Sequence, residues 1–380
     1  MPHSAFHVPI LTKLKKELKE IYAAAVIRAF SLSLVSVFIP LYLMQVGYEL
    51  NQALLYLAVF YAAIAVFGPM IVFVSSKFGM KHTMAVGPVL TVTYLLLLRS
   101  IGEINLPIYP IALVGALGSM FYWVPMNSHF SKASDKKHRG EQLGFFKALP
   151  EVAAVAAPVA GGLVISSLGF SPLFVLAAVL LLISVAPLFL SYEYKSHMKY
   201  KWSQIFSREN LHWFNDFFIQ GFIVVPVAIV FPIHIYNISQ EFSITGAAVS
   251  LMSLGIAITA ILLGKATDKI GKRAVMRTGG VVLAAILLAL IFITEPLMVY
   301  ALSFFAGIGW AAITIPLFVF FCNNLKPGTR TEFMGFRDVC YGSGRCAALL
   351  LLVIIPFLWK FQIAFAVAAL ASAYFAVAKV

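Results

Sequence analysis

Three ionisable side chains fall well inside apolar runs of this sequence: Arg28, Glu151 and Arg345. A charge surrounded by hydrocarbon is costly unless it is paired or wetted, so each of the three is a site candidate. Glu151 has two readings. Competition between desolvation and a nearby arginine can poise a buried carboxyl group to carry protons, or the two groups can form a permanent ion pair. Glu151 stands seven residues before Pro158 and therefore on the same helical face. Arg28 lies only about a turn or two from the end of its run and can reach the interface along its aliphatic stem. Asp216 and Asp338 sit within about two turns of run ends, where hydration or helix capping accounts for them, and no functional role is assigned to either. Among the aromatic residues, Trp123 with Tyr122 beside it and Trp310 are candidates to face a ligand. Such rings suit apolar or cationic ligands, and they serve equally as packing or interfacial anchors, as do His234 and Tyr42.

Two further stretches have spacings that position a backbone. In GKATDKIGKR, Gly264 to Arg273, the glycines Gly264 and Gly271 permit a tight turn. Asp268 stands there among Lys265, Lys269, Lys272 and Arg273, as a latch or simply as part of a basic connector. In PEVAAVAAPVAGG, Pro158, Gly161 and Gly162 allow close helix approach and a bend. Catalytic chemistry is absent from this inventory: no phosphate-binding glycine loop, no metal-ligand cluster and no nucleophile with a base is recognisable, so no enzyme activity, metal or cofactor is expected. Cys322, Cys340 and Cys346 lie in or at the ends of apolar runs and read as small packing residues.

The elements that must hold these residues follow from composition. Of 380 residues 61% are hydrophobic and 11% charged, with mean hydropathy +0.94, which fits no soluble class. Apolar runs of about 20 residues match a hydrocarbon core of roughly 30 Å and are helical rather than the alternating segments of a barrel. Twelve spans are predicted, near residues 21–45, 52–75, 83–100, 107–129, 143–167, 171–191, 211–236, 245–264, 274–293, 297–322, 333–356 and 360–378. The segment before the first span, with Lys13, Lys15, Lys16, Glu17 and Lys19, reads as polar and amphipathic, not as a cleavable signal peptide.

The net charge of +13 records orientation rather than a nucleic-acid partner. Of the 28 lysines and arginines, 24 fall with the N-terminal segment, alternate connectors and the C-terminus, and only Arg99 and Lys360 fall on the opposite connectors. The positive-inside rule then places both termini in the cytoplasm, in a multi-pass protein of the plasma membrane. The chain also repeats itself. Pro40 and Pro232, Gly79 and Gly271, and Glu103 and Glu295 are 192 residues apart, and Gly118 and Gly309, Pro125 and Pro316, and Gly144 and Gly335 are 191 apart. The fold predicted is an all-α membrane protein of twelve transmembrane helices in two pseudo-symmetric six-helix bundles. These span residues 1–191 and 211–380, with residues 192–210 as a cytoplasmic linker.

The connector GKATDKIGKR fills every fixed position of the loop signature G-x-x-x-D-[RK]-x-G-[RK]-[RK], and with the duplicated six-helix unit the chain resembles the major facilitator superfamily of secondary transporters. The first-half copy, VFVSSKFGMKH, keeps Lys77, Gly79 and Lys81 but has Val72 and Ser76 in place of the glycine and acid. The resemblance implies that Asp268, with Lys269, Gly271, Lys272 and Arg273, latches onto the start of the fifth helix near Gln142 to Gly144. It implies too that Trp123, Tyr122 and Trp310 lie on helices lining a central cavity. The stretch Ala157 to Gly162 is similar to the G-P-x-x-G-G motif of exporters, with alanine for its first glycine, and Ile111 occupies the arginine position of the proton-coupled export motif. The function implied is transport of a small solute by alternating access, as proton-coupled efflux of an apolar or amphipathic compound. Proton-coupled uptake, and a non-transporting receptor or scaffold, are the alternatives. The partners expected are a small-molecule substrate, protons and the lipid bilayer, with the protein acting as a monomer.

Overall fold

The structure is a computed structural model that describes residues 16–104, 106–134, 139–189, 207–293, 295–325 and 330–378. Within these ranges, the side chains of 16–17, 131–133, 139–141, 143–144, 147, 188–189, 264–270, 296 and 330–331 lie outside the description. The described residues form helices and short turns without a strand, as a chain surrounded by lipid must if every backbone N–H and C=O is to be satisfied within its own segment. In chain order the helices are α1 (Lys16–Ser33, continued by Ile39–Gln45), α2 (Leu50–Phe78), α3 (Met80–Ser100), α4 (Ile108–Ala133), α5 (Arg139–Leu168) and α6 (Phe170–Ile183). The second set is α7 (Leu211–Val225, continued by Phe231–Ser239), α8 (Phe242–Ile270), α9 (Lys272–Ala289), α10 (Pro296–Asn324), α11 (Arg330–Ile354) and α12 (Phe357–Val377).

Nine of these helices are long and apolar enough to cross a membrane. The other three depart for visible reasons. α6 is short, α9 opens with Lys272, Arg273 and Arg277, and α11 carries Glu332, Arg337, Asp338 and Arg345 along its length. Large apolar side chains such as Phe73, Leu163, Phe292 and Leu370 are exposed, which in a bilayer is the lipid-facing surface.

The repeat is legible in the backbone. α1 is broken at residues 34–38 and α7 at 226–230, each break followed by a proline, Pro40 and Pro232, in the first turn of the resumed helix. In α7 the missing N–H of Pro226 opens a π-turn over Pro226–Val230. α2 passes into α3 through Gly79 at φ 97°, and α8 into α9 through Gly271 at φ 87°, conformations that favour glycine. This corrects one expectation: Gly264 makes no turn, because α8 continues as helix through Ile270 and the connector shrinks to Gly271. A second correction concerns the N-terminal segment. Glu20 belongs to α1, is buried, and pairs with Lys81 of α3 at 3.3 Å.

Packing repeats as well. α3 packs on α4 and α6, as α9 packs on α10 and α12; α1 packs on α5, as α7 packs on α11. Two long seams join the halves, α5 along α8 and α2 along α11.

Candidate functional site

The links at Gly79 and Gly271, flanked by Lys77, Lys81, Lys272 and Arg273, mark the basic face of the bundle, and the opposite face is the distal one. At the distal face the halves are in contact. Phe242, at the start of α8, sets its ring edge-to-face against Phe38 (6.2 Å) and Phe170 (5.4 Å) of the first half. Any side chain at Gly162 would meet the Phe242 carbonyl at 2.5 Å, and one at Gly246 of α8 would meet the Pro158 carbonyl. Gly161 is closed in the same way by the Leu34 carbonyl of α1. Pro158, Gly161 and Gly162 thus form a tight crossing of α5 with α1 and α8, the packing reading of that motif. A polar bridge lies at the same face. Lys360, only 2% exposed at the start of α12, donates to Asn51 Oδ1 of α2 (2.9 Å) and to the carbonyl of Leu352 in the last turn of α11. An ammonium there meets the negative end of the α11 dipole.

Between the halves lies a cavity of about 330 Å³. α2 contributes Tyr61 and Ile64 to its lining, α4 contributes Ser119, Met120, Trp123 and Asn127, α5 contributes Glu151, and α11 contributes Arg337, Asp338, Tyr341, Gly342 and Arg345. At 1.5 Å per residue the α11 group spans depths of roughly 10 to 22 Å from the start of that helix, and Glu151 lies at roughly 18 Å along α5. These residues therefore lie well inside the length of their helices.

Three candidates from different parts of the sequence, Glu151, Trp123 and Arg345, meet in this cavity. The guanidinium of Arg345 lies over the rings of Tyr341 (4.1 Å) and Tyr61 (4.7 Å). Arg337 Nη1 donates to Asp338 Oδ1 at 3.0 Å and its guanidinium lies over Phe318 at 4.7 Å. Asp338 also lines the cavity, a placement that its distance from the run end did not indicate. Asp216 instead is 2% exposed and accepts a hydrogen bond from Tyr374 (2.8 Å).

The other candidates lie elsewhere. Arg28 does not reach the interface: it is 1% exposed, donates to Thr91 Oγ1 of α3 at 3.5 Å, and stacks over Tyr122 at 4.0 Å. Tyr122 is thus committed to the interior of the first half, while the next residue, Trp123, lines the cavity in edge-to-face contact with it (5.2 Å). Trp310 is half-buried on α10, packed against the core and outside the cavity lining. The side chains of Gly264, Asp268 and Lys269 lie outside the described residues. Arg273 is exposed, and Lys272 is half-buried beside Gly271. Tyr42 donates to the Leu98 carbonyl (2.9 Å) and His234 packs on Phe361 and Phe365.

Sequence reasoning missed Arg337, Asn127, Ser119 and the two rings that hold Arg345. The available signal was the run of charges on α11 at Arg337, Asp338 and Arg345, which an apolar span carries only if one face is turned from lipid.

Comparison with known proteins bears on the same architecture. The sequence profile of the Major Facilitator Superfamily matches residues 21–349. No curated protein sequence matches the chain. Among solved structures, a bacterial homologue of the iron transporter ferroportin in an outward-facing state superimposes with a TM-score of 0.73 at 12% identity, over 96% of this chain and 98% of that one. The human organic anion transporter MFSD10 (TETRAN) gives 0.71 at 10% identity, over 95% and 98%. The fucose:proton symporter FucP of E. coli gives 0.71 at 14% identity, over 95% and 97%. A profile match across most of the chain, on an all-helical fold shared with these transporters, establishes that the chain belongs to the major facilitator superfamily and is an integral, multi-pass membrane transport protein.

Proposed function

We propose that the protein moves a small solute by alternating access through the cavity between α11 and the first-half helices α2, α4 and α5, with protons as the coupling ion and Glu151 as their carrier. The observation that supports this is the convergence of Glu151, Trp123 and Arg345 from three helices and both halves on one cavity. Rocking of the halves about the α2–α11 and α5–α8 seams would open such a site to each face in turn. The basic face is the cytoplasmic one by the positive-inside rule, so the contacts at Phe242 and Lys360 close the outer side. Residues 1–191 and 211–380 are the two moving bundles, with residues 192–210 as their link, and the protein works as a monomer.

Efflux of an amphipathic compound in exchange for protons accords with the Trp123 wall of the cavity. Uptake together with protons is the second reading, favoured by the presence of Arg345 and Glu151 in one lining: a proton on the acid and a solute at the arginine can occupy the cavity at once. Flux in proteoliposomes under a pH gradient imposed in either sense separates the two. Glu151→Gln is expected to abolish the response to the gradient while solute exchange at equal pH persists. A mutant that responds as the parent does contradicts the proton-carrier role, and a parent that moves no solute points to a receptor or scaffold.

A further inference from the structure

We infer that the solute received by this cavity is an anion, a carboxylate or another small oxyanion, held by the guanidinium of Arg345, with Trp123 as the wall for its apolar part. The inference rests on the transport reading of the cavity and narrows its substrate class.

The charges of Arg337 and Asp338 are neighbours in the chain and 3.0 Å apart, so they largely cancel. Arg345 is placed differently. Among the described residues no carboxylate lies within ion-pair distance of it; Asp338, two turns earlier, acts on it only at longer range, and its buried Nε has no hydrogen-bond partner. Two rings support it instead, Tyr341 at 4.1 Å and Tyr61 at 4.7 Å. A ring on the face of a guanidinium stabilises the charge, and although the Tyr341 side chain also hydrogen-bonds Arg345, the in-plane edge at Nε stays without a partner. That edge is a fixed fork matched to the two oxygens of a carboxylate or phosphate. The residue is also too deep to find its counter-ion among lipid headgroups: it stands fifteen residues from the start of α11 and nine from its end, roughly 22 and 14 Å.

The rings argue against a cationic solute on the same geometry. An aromatic cage attracts a cation through its open faces. Here the faces of Tyr61 and Tyr341 are turned to Arg345, and that of Phe318 to Arg337. Trp123 remains, braced edge-on by Tyr122 as an apolar surface.

The test is thermal melting and equilibrium binding of the purified full chain in detergent. The probes are acetate, benzoate and inorganic phosphate, set against neutral benzamide and cationic benzylamine and benzamidine at equal concentration and ionic strength. At least one anion is expected to bind and raise Tm, with the neutral and cationic analogues without effect. Arg345→Gln should weaken that anion roughly tenfold or more, equivalent to about 1.4 kcal/mol. Arg345→Lys should fall between, since it keeps the charge and loses the fork. The inference is overturned if no anion binds, if a cation or neutral analogue binds as well as the anions, or if Arg345→Gln binds the anion as the parent does. Should Arg345→Gln fail to fold, the charge series on the parent and Arg345→Lys decide. Anion binding without flux would sink the transport reading alone; pH-driven flux of a neutral or cationic solute would leave transport standing and sink this inference.

Discussion

Tyr122 and Trp123 are adjacent in the chain and face different surroundings, since successive residues on a helix point in different directions. Trp123 lines the cavity, whereas Tyr122 is fully buried under Arg28 with its hydroxyl lacking any hydrogen-bond partner. A buried hydroxyl without a partner costs about 1–3 kcal/mol, so Tyr122→Phe, which keeps the ring beneath Arg28, is expected to hold or raise Tm. A clear drop in Tm would mean that the hydroxyl is satisfied in the protein, for instance by a buried water. The sequence could not separate these two residues. Hydropathy locates a residue along a span, but which side of α4 turns toward Arg28 depends on how α1 and α3 pack, and that is a long-range property. The same limit explains Arg28 and Glu20. Arg28 was placed by its nearness to a run end and Glu20 fell just outside the first predicted span, yet both are buried and meet partners more than sixty residues away in sequence, Thr91 and Lys81.

At the scale of elements, local rules served better. The breaks in α1 and α7 lie beside the repeated prolines Pro40 and Pro232, although both spans were read as continuous, and the links Gly79 and Gly271 fall at the repeated glycines, because φ restriction and left-handed backbone are written in one or two residues. The bridge made by Lys360 was not legible, since its partners Asn51 and Leu352 come from two other helices. Hydrogen bonds to a charged group contribute about 1.5–3 kcal/mol, and the two forms of a transporter differ by only a few kcal/mol. Lys360→Met should therefore shift the population on the order of tenfold toward a form open at the distal face. Electron–electron resonance distances between spin labels at Glu49 and Glu241, exposed on opposite halves of that face, read the shift directly. Growth of a longer-distance population is expected; an unchanged distribution would show that the aromatic contacts at Phe242 close the face without Lys360.

The whole molecule divides along the same line. Composition, run length and the duplication at 191–192 residues were enough to anticipate an all-helical membrane protein of two bundles, because bilayer thickness and backbone satisfaction leave few alternatives; the transporter fold was implied by the resemblance at Gly264 to Arg273. The cavity was only half legible. Glu151, Trp123 and Arg345 stood out as charges or aromatics inside spans. Asp338 was read by its depth along α11 and Arg337 was passed over, although what matters is that their face turns toward α2 and α4 rather than lipid. The central claim, that this cavity is the site exposed to each side in turn, is tested most directly at Ser119, a small residue in its lining. In a chain with Cys322, Cys340 and Cys346 replaced by alanine, Ser119→Cys is challenged with membrane-impermeant thiol reagents from each face separately. Labelling from both faces during turnover is predicted, with the distal rate increased by Lys360→Met. Labelling from one face alone under every condition, unaltered by Lys360→Met, would contradict alternating access through this cavity.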